Sequence, residues 1–142
     1  SGNLHLEYVL KELQKEFNVN FALDLGYKEH LSHQIYASSD FLLMPSRVEP
    51  CGLNQMYAMR YGTIPIVRYT GGLKDTVVDI ASGGNGLNYT FAGSDDAVYA
   101  IKRALYVYMD EELMKNLRNS TMNLDFSWEK SAEKYITLYN KN

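Results

Sequence analysis

The chain alternates between two hydrophobic rhythms. Leu6, Val9, Leu10, Leu13 and Phe17 recur at helical spacing, with Glu7, Lys11, Glu12 and Lys15 on the opposite side. That pattern predicts an amphipathic helix from about Leu4 to Phe17. Val19 to Leu25 is short and rich in strand formers, and reads as a strand ending at Gly26. Lys28 to Ala37 reads as a helix with Leu31 and Ile35 inward. Asp40 to Met44 is apolar on both faces, which predicts a central, parallel strand. Leu53 to Tyr61 is the next helix, closed by Gly62. Ile64 to Arg68 is a strand with Pro65 at its start, where a missing N–H is tolerated.

Beyond Gly71-Gly72, Leu73, Val77 and Ile80 are expected to line one helix face. Gly83-Gly84-Asn85-Gly86 reads as a flexible turn, and Leu87 to Phe91 as a short last strand. Ser94 is expected to cap a helix with Asp95 and Asp96 in its first turn and an inward face of Ala97, Ile101, Ala104, Leu105 and Tyr108. Asp110 caps the next helix, followed by Glu111 and Glu112. Ser127 caps the last, whose stripe is Trp128, Ala132, Tyr135, Ile136 and Tyr139, with Trp128 as the core anchor. Strands alternating with helices and joined by right-handed crossovers predict an α/β fold, a Rossmann-like parallel sheet with helices on both faces. Four strands are few for such a sheet. The expectation is one domain over 1–142 that lacks its first strand-helix units.

Composition narrows the function. The chain has 142 residues, 46% of them apolar, which supports a packed core and excludes disorder. A net charge of −3 gives no general basic field, so neither nucleic acid nor a membrane is an expected partner. The one cysteine, Cys51, excludes an internal disulfide and suggests a reducing compartment. No apolar run is long enough to span a bilayer, and no signal-peptide pattern stands at the N-terminus. The expected location is cytoplasmic. Most of the 12 tyrosines are expected to serve packing.

The chemistry concentrates in Ser46-Arg47-Val48-Glu49-Pro50-Cys51-Gly52-Leu53-Asn54, between a strand and a helix start. Open α/β sheets place ligands at such turns, and helix-start amides suit phosphate. Glu49 is the one carboxylate there; its alternative is a solvated turn residue or a partner of Arg47. A glycosidase needs a second nearby carboxylate, and the turn has none. The Cys51 thiol has no histidine close in sequence to activate it, so its backbone N–H, with those of Gly52 and Leu53, is the better candidate. Gly52 permits close approach of the backbone to a ligand. His30 and His33 lie one helical turn apart, but no further ligand accompanies them and no metal is expected. Tyr27, after Gly26, can stack on a base or simply cap the strand end. Thr70-Gly71-Gly72-Leu73 offers a second amide cradle. Arg47, Arg68 and Lys74 are candidates for local positive charge.

Taken in order, these residues resemble bacterial glycogen synthase and plant starch synthase, retaining glucosyltransferases of the two-domain GT-B architecture. The matching text is Pro45-Ser46-Arg47-x-Glu49-Pro50-Cys51-Gly52-Leu53-x-Gln55-x-Tyr57, then Tyr61-Gly62-Thr63-x-Pro65-x-Val67-Arg68-x-Thr70-Gly71-Gly72-Leu73-x-Asp75-Thr76-Val77. Gly26-Tyr27 and Phe126-Ser127-Trp128 also match in place. The resemblance covers nearly the whole chain. Asn54 departs from the common Thr and Val48 from the usual Phe. Tyr57 stands where wider retaining families carry a second glutamate, which narrows the likeness to the synthases.

The resemblance implies the C-terminal, nucleotide-sugar-binding domain of an enzyme that moves glucose from ADP-glucose (or UDP-glucose) to the non-reducing end of an α-1,4-glucan, with retention. Glu49 corresponds to the active-site glutamate that faces the donor glucose and stabilises charge at its anomeric centre. Cys51, Gly52, Leu53 and Asn54 correspond to the turn that holds the distal phosphate and sugar, and Tyr27 to a ring beside the adenine. No cofactor is implied beyond the donor substrate. The diphosphate-gripping Arg and Lys, and the acceptor domain for the glucan with its Lys-Thr-Gly-Gly loop, are expected upstream of residue 1. Without them the isolated chain is expected to have little or no transferase activity. A bacterial parent implies the cytoplasm and a plant parent the plastid. The alternative is a non-catalytic Rossmann-like nucleotide-binding or interaction domain of a GT-B paralogue.

Overall fold

A computed structural model describes residues 3–140. The chain divides into two compact units, Ser1–Ser32 and His33–Asn142. The first contains helix α1, Leu4–Glu16, as its periodicity predicts. The Asn3 side chain caps it, accepting from the N–H groups of His5 and Leu6 at 3.0 and 3.4 Å. No residue of α1 is buried, so its apolar stripe is present but uncovered. The expected strand over Val19–Leu25 does not form. The N–H groups of Asn20 and Phe21 both turn back to Phe17 O, and Val19 is 90% exposed. Strand propensity does not hold an isolated strand, and among the described residues no ladder partner runs beside it. Helix α2, Glu29–Ser38, follows; its buried residue is Tyr36, not Leu31 or Ile35.

The second unit is built on a three-stranded parallel sheet of β1 (Phe41–Met44), β2 (Ile64–Arg68) and β3 (Leu87–Tyr89), in that order. Register runs from Phe41↔Ile64 to Met44↔Val67, and from Ile66↔Leu87 to Arg68↔Tyr89. The parallel expectation holds, but β1 is an edge strand of the described sheet, with Leu43 exposed. The central strand is β2, buried from Ile64 through Val67. Pro65 precedes the first β2–β3 pair, so its absent N–H removes no bond there.

Both sheet faces are covered, by α3 (Asn54–Arg60), α4 (Leu73–Thr76), α5 (Ser94–Met109) and α6 (Glu111–Met122). On one face Ile64, Ile66, Leu87 and Tyr89 pack with Ala100, Ala104 and Val107 of α5 and Met114 and Leu117 of α6. The buried stripe of α5 therefore passes through Ala100, Ala104 and Val107, and Leu105 and Tyr108 face outward, contrary to expectation. Two alanines let the helix sit close on the sheet. On the other face Met44 and Val67 pack with Leu73 and Val77.

Several local expectations change. Helix α4 lasts one turn; Val77 is extended, and Ile80 opens a separate 3₁₀ turn, Ile80–Ser82, packed on the opposite core. Within the Gly83–Gly86 turn, Gly84 and Gly86 are tightly seated, since a Cβ on Gly84 would overlap Val78 O and one on Gly86 would lie 2.7 Å from Pro65 O. Gly93, not Ser94, is the N-cap of α5, and Asp96 instead accepts from Phe91 N–H at 3.0 Å. Asp110 and Ser127 cap α6 and α7 (Trp128–Tyr139) as expected, accepting from Leu113 and Lys130 N–H. No residue of α7 is buried, and Trp128 is 86% exposed rather than a core anchor.

A half-buried ion pair ties the 3₁₀ turn to α5 in this unit. Arg103 donates Nη1 to Asp79 Oδ2 at 3.0 Å and Nη2 to Oδ1 at 2.5 Å. Asp79 also accepts from the N–H groups of Ala81 and Asn88, both at 2.9 Å. Burial pushes the Asp79 carboxyl up, but these hydrogen bonds and the Arg103 charge outweigh it and hold the group below the usual carboxylate range.

Candidate functional site

Because β1 and β2 are parallel neighbours, the turns that follow them leave the sheet side by side at its C-terminal edge. They are locked together by backbone. Gly72 N–H donates to Glu49 O at 2.9 Å. Gly71 has φ +46°, and a Cβ there would overlap Glu49 O; a Cβ on Gly72 would overlap Cys51 O. The Gly-Gly pair is thus what lets the second turn close on the first. Arg68, at the end of β2, adds a fork: Nε donates to Ser46 O at 3.1 Å and Nη2 to Arg47 O at 3.0 Å.

Glu49 is half-buried on this clamped turn. Ser46 Oγ donates to its Oε2 at 3.2 Å, and no ion pair joins it to Arg47. The N–H groups of Cys51, Gly52, Leu53 and Asn54 donate to no protein acceptor among the described residues. A carboxylate and a row of unused amide donors therefore share one short turn, where an anion and a developing cation can be held a few ångströms apart. Helix α3 has only seven residues, so the turn's own amides matter more than a long helix dipole.

The structure brings Glu49, Cys51, Gly52, Leu53 and Asn54 together. Tyr27 lies in the first unit and is exposed. Cys51 is an exposed free thiol without a hydrogen bond. His33 Nδ1 lies 3.2 Å from Tyr61 Oη, with the rings of Tyr36, Tyr57 and Tyr61 around it. Among the described residues no three His, Cys, Asp or Glu groups are placed to hold a metal. Lys74 sits over the Tyr69 ring at 5.3 Å. Two hollows, of about 480 and 330 Å³, lie away from the Glu49 turn; the first is lined by α5 and α6 residues, the second by Tyr69, Asp79 and their neighbours. No described helix is long and apolar enough to cross a membrane.

Sequence reasoning missed the bracing groups. Arg68 reads as a loop cation but its fork bonds two carbonyls, and Gln55 and Thr76 stand in the sequence only as parts of the matching text. Gln55 is fully buried beneath the turn, with Nε2 donating to Gly52 O at 2.8 Å and Thr76 Oγ1 at 3.0 Å. The available signal was that both stand on helices directly following the glycine turns.

The model of the family Glycosyl transferases group 1 matches residues 2–123. Glycogen synthase of Flavobacterium johnsoniae is 51% identical over 140 residues, 99% of this chain and 30% of that protein. Glycogen synthase of Thermosipho melanesiensis is 46% identical over 145 residues, with the same coverage. The solved catalytic domain of Starch Synthase IV from Arabidopsis thaliana, bound to ADP and acarbose, superposes with a TM-score of 0.87 at 42% identity, covering 99% of this chain and 30% of that one. The chain thus spans about 30% of the length of the relatives it matches. The parallel α/β sheet, the GT-B likeness and the family match over most of the chain agree, and the chain belongs to the glycosyl transferases group 1 family.

Proposed function

We propose that this chain supplies the donor-binding side of an enzyme that transfers glucose, with retention, from ADP-glucose (or UDP-glucose) to the non-reducing end of an α-1,4-glucan. A further domain holds the glucan. The observation that carries the reading is Glu49, lightly bonded on a clamped turn, beside four N–H groups without a protein acceptor among the described residues. The amides of Cys51, Gly52, Leu53 and Asn54 hold the distal phosphate and the sugar. As the bond to the anomeric carbon breaks, negative charge on the leaving diphosphate meets fixed N–H dipoles that need no reorganisation. Positive charge on the sugar meets the Glu49 carboxylate. No protein nucleophile is required, and the Cys51 thiol is a bystander. The family resemblance assigns Tyr27 to the base.

The glycogen synthase relatives and the ADP-bound starch synthase support this reading by likeness. The test is Glu49→Ala in the full-length enzyme that carries this chain, assayed for glucose transfer from ADP-glucose. A variant that keeps close to the unmodified rate would sink the catalytic reading and favour a non-catalytic nucleotide-binding domain.

A further inference from the structure

We propose that Gln55 is a positioning residue that sets the direction of the amides in the Glu49 turn; this rests on the donor-site reading above. Gln55 is fully buried on the first turn of α3. Its Nε2 holds Gly52 O and Thr76 Oγ1, and the Thr76 hydroxyl donates onward to Gly72 O at 3.1 Å. One side-chain amide thereby ties both glycine turns from beneath.

The consequence for Leu53 follows from peptide planarity. In a trans peptide the carbonyl and the following N–H point in opposite directions. Holding Gly52 O against Gln55 therefore turns the Leu53 N–H away from Gln55, toward the outer side of the turn. Among the described residues the Leu53 N–H has no protein acceptor of its own to orient it. Gly52, at φ +72°, lies directly on the amide, and a Cβ there would stand 2.7 Å from both Nε2 and Oε1.

Gln55 also leaves one polar atom unused. Its Oε1 is buried without a hydrogen-bond partner. Buried polar groups are normally satisfied, and an apolar residue here would remove the orphaned Oε1 but leave Gly52 O and Thr76 Oγ1 without their Nε2 donor. The amide earns its place through what Nε2 orients.

The test uses the full-length enzyme with ADP-glucose as the varied donor and a maltooligosaccharide acceptor. Gln55→Leu is expected to raise the donor KM about tenfold, the scale of one lost buried hydrogen bond, with acceptor KM within about twofold. Some loss of thermal midpoint is expected from the orphaned Gly52 carbonyl, so the split between donor and acceptor KM, which loss of fold support alone would not produce, separates positioning from support of the fold. Thr76→Val should raise donor KM about threefold, and Thr76→Ser, which restores the hydroxyl, should bring it back. A folded Gln55→Leu with donor KM within about twofold overturns the proposal. If Gln55→Leu does not fold, Thr76→Val decides alone, and an unmoved donor KM overturns it. Glu49→Ala serves as the control. If it abolishes transfer while Gln55→Leu leaves donor KM unmoved, the Gln55 role alone fails. If it remains active, the donor-site reading fails and takes this one with it.

Discussion

Two carboxylates beside glycine-rich turns are treated in opposite ways by this fold. Asp79, at the entry to β3, accepts four hydrogen bonds, two from Arg103 and one each from Ala81 and Asn88 N–H. Glu49, beyond the end of β1, accepts one, from a serine hydroxyl. The Asp79 oxygens are taken by four donors, whereas the four N–H groups of residues 51–54 beside Glu49 donate to no protein acceptor among the described residues. A saturated carboxylate joins elements, here the 3₁₀ turn, β3 and α5. A carboxylate held in place by its backbone, with its oxygens largely unused, keeps its charge for something that is not protein. Charge and glycine context alone do not separate the two; the count of committed donors does.

The largest effect that tests this contrast is on catalysis. Removing the Glu49 carboxylate is expected to lower transfer by about 10³-fold, on the order of 4 kcal/mol of transition-state stabilisation. Urea unfolding of the same variant should shift by no more than about 0.5 kcal/mol, because the group supports little of the fold. A stability loss of several kcal/mol in Glu49→Ala would break the comparison.

The converse holds for Asp79→Ala, which should lose about 3 kcal/mol of stability by leaving the half-buried Arg103 cation without its partner. The pH dependence carries a sign. The folded carboxyl titrates below its ordinary 3.8, so its contribution is fully present above that value and is lost as pH falls through the lower folded one. The gap between the unmodified chain and Asp79→Ala should therefore be flat at neutral pH and narrow only on the acid side, as read by urea titrations across that range. A gap that widened on acidification would contradict the assignment.

Arg68 falls between the two regions, since it is structural in its bonds but serves the Glu49 turn. Arg68→Lys keeps the charge but cannot fork to the Ser46 and Arg47 carbonyls at once. It should cost about 1 kcal/mol in stability and raise donor KM a few-fold, a mixed outcome that neither carboxylate shows. Stability lost with donor KM unmoved would place Arg68 with Asp79.

The turn itself was legible in the sequence because its punctuation is obligatory. Gly52 and Gly71-Gly72 sit where the backbone needs φ > 0 or room for a carbonyl, which a Cβ would strain or fill. The strands that meet a partner, β1, β2 and β3, were legible from their apolar runs, although which one is central was not. What escaped depends on neighbours that periodicity cannot see. Val19–Leu25 has the composition of a strand without a ladder, and Leu73–Ile80 has helical spacing across a chain that breaks after Thr76. Gln55 and Arg68 hide their role because both bond to backbone carbonyls, which leave no mark in the sequence. Glu49 was singled out by position, but that its carboxylate has a single protein partner, Ser46, became visible only in three dimensions.

The smallest predicted effect extends the same rule from hydrogen bonds to apolar contact. By composition Trp128 is the strongest core candidate of the last helix, and a buried tryptophan cut to alanine costs about 3–5 kcal/mol. In the fold it is 86% exposed, and the Ser127 cap that starts its helix does not depend on the ring. An aromatic side chain stabilises through the neighbours that exclude water from it, and here they are few. Trp128→Ala in this chain should change unfolding free energy by no more than about 0.5 kcal/mol. Fluorescence gives an independent check, since this is the one tryptophan: its emission in the native chain should lie near that of the unfolded chain. A blue-shifted native spectrum together with a loss of several kcal/mol would mean the ring is covered, and commitment to partners would then not distinguish supporting residues from free ones.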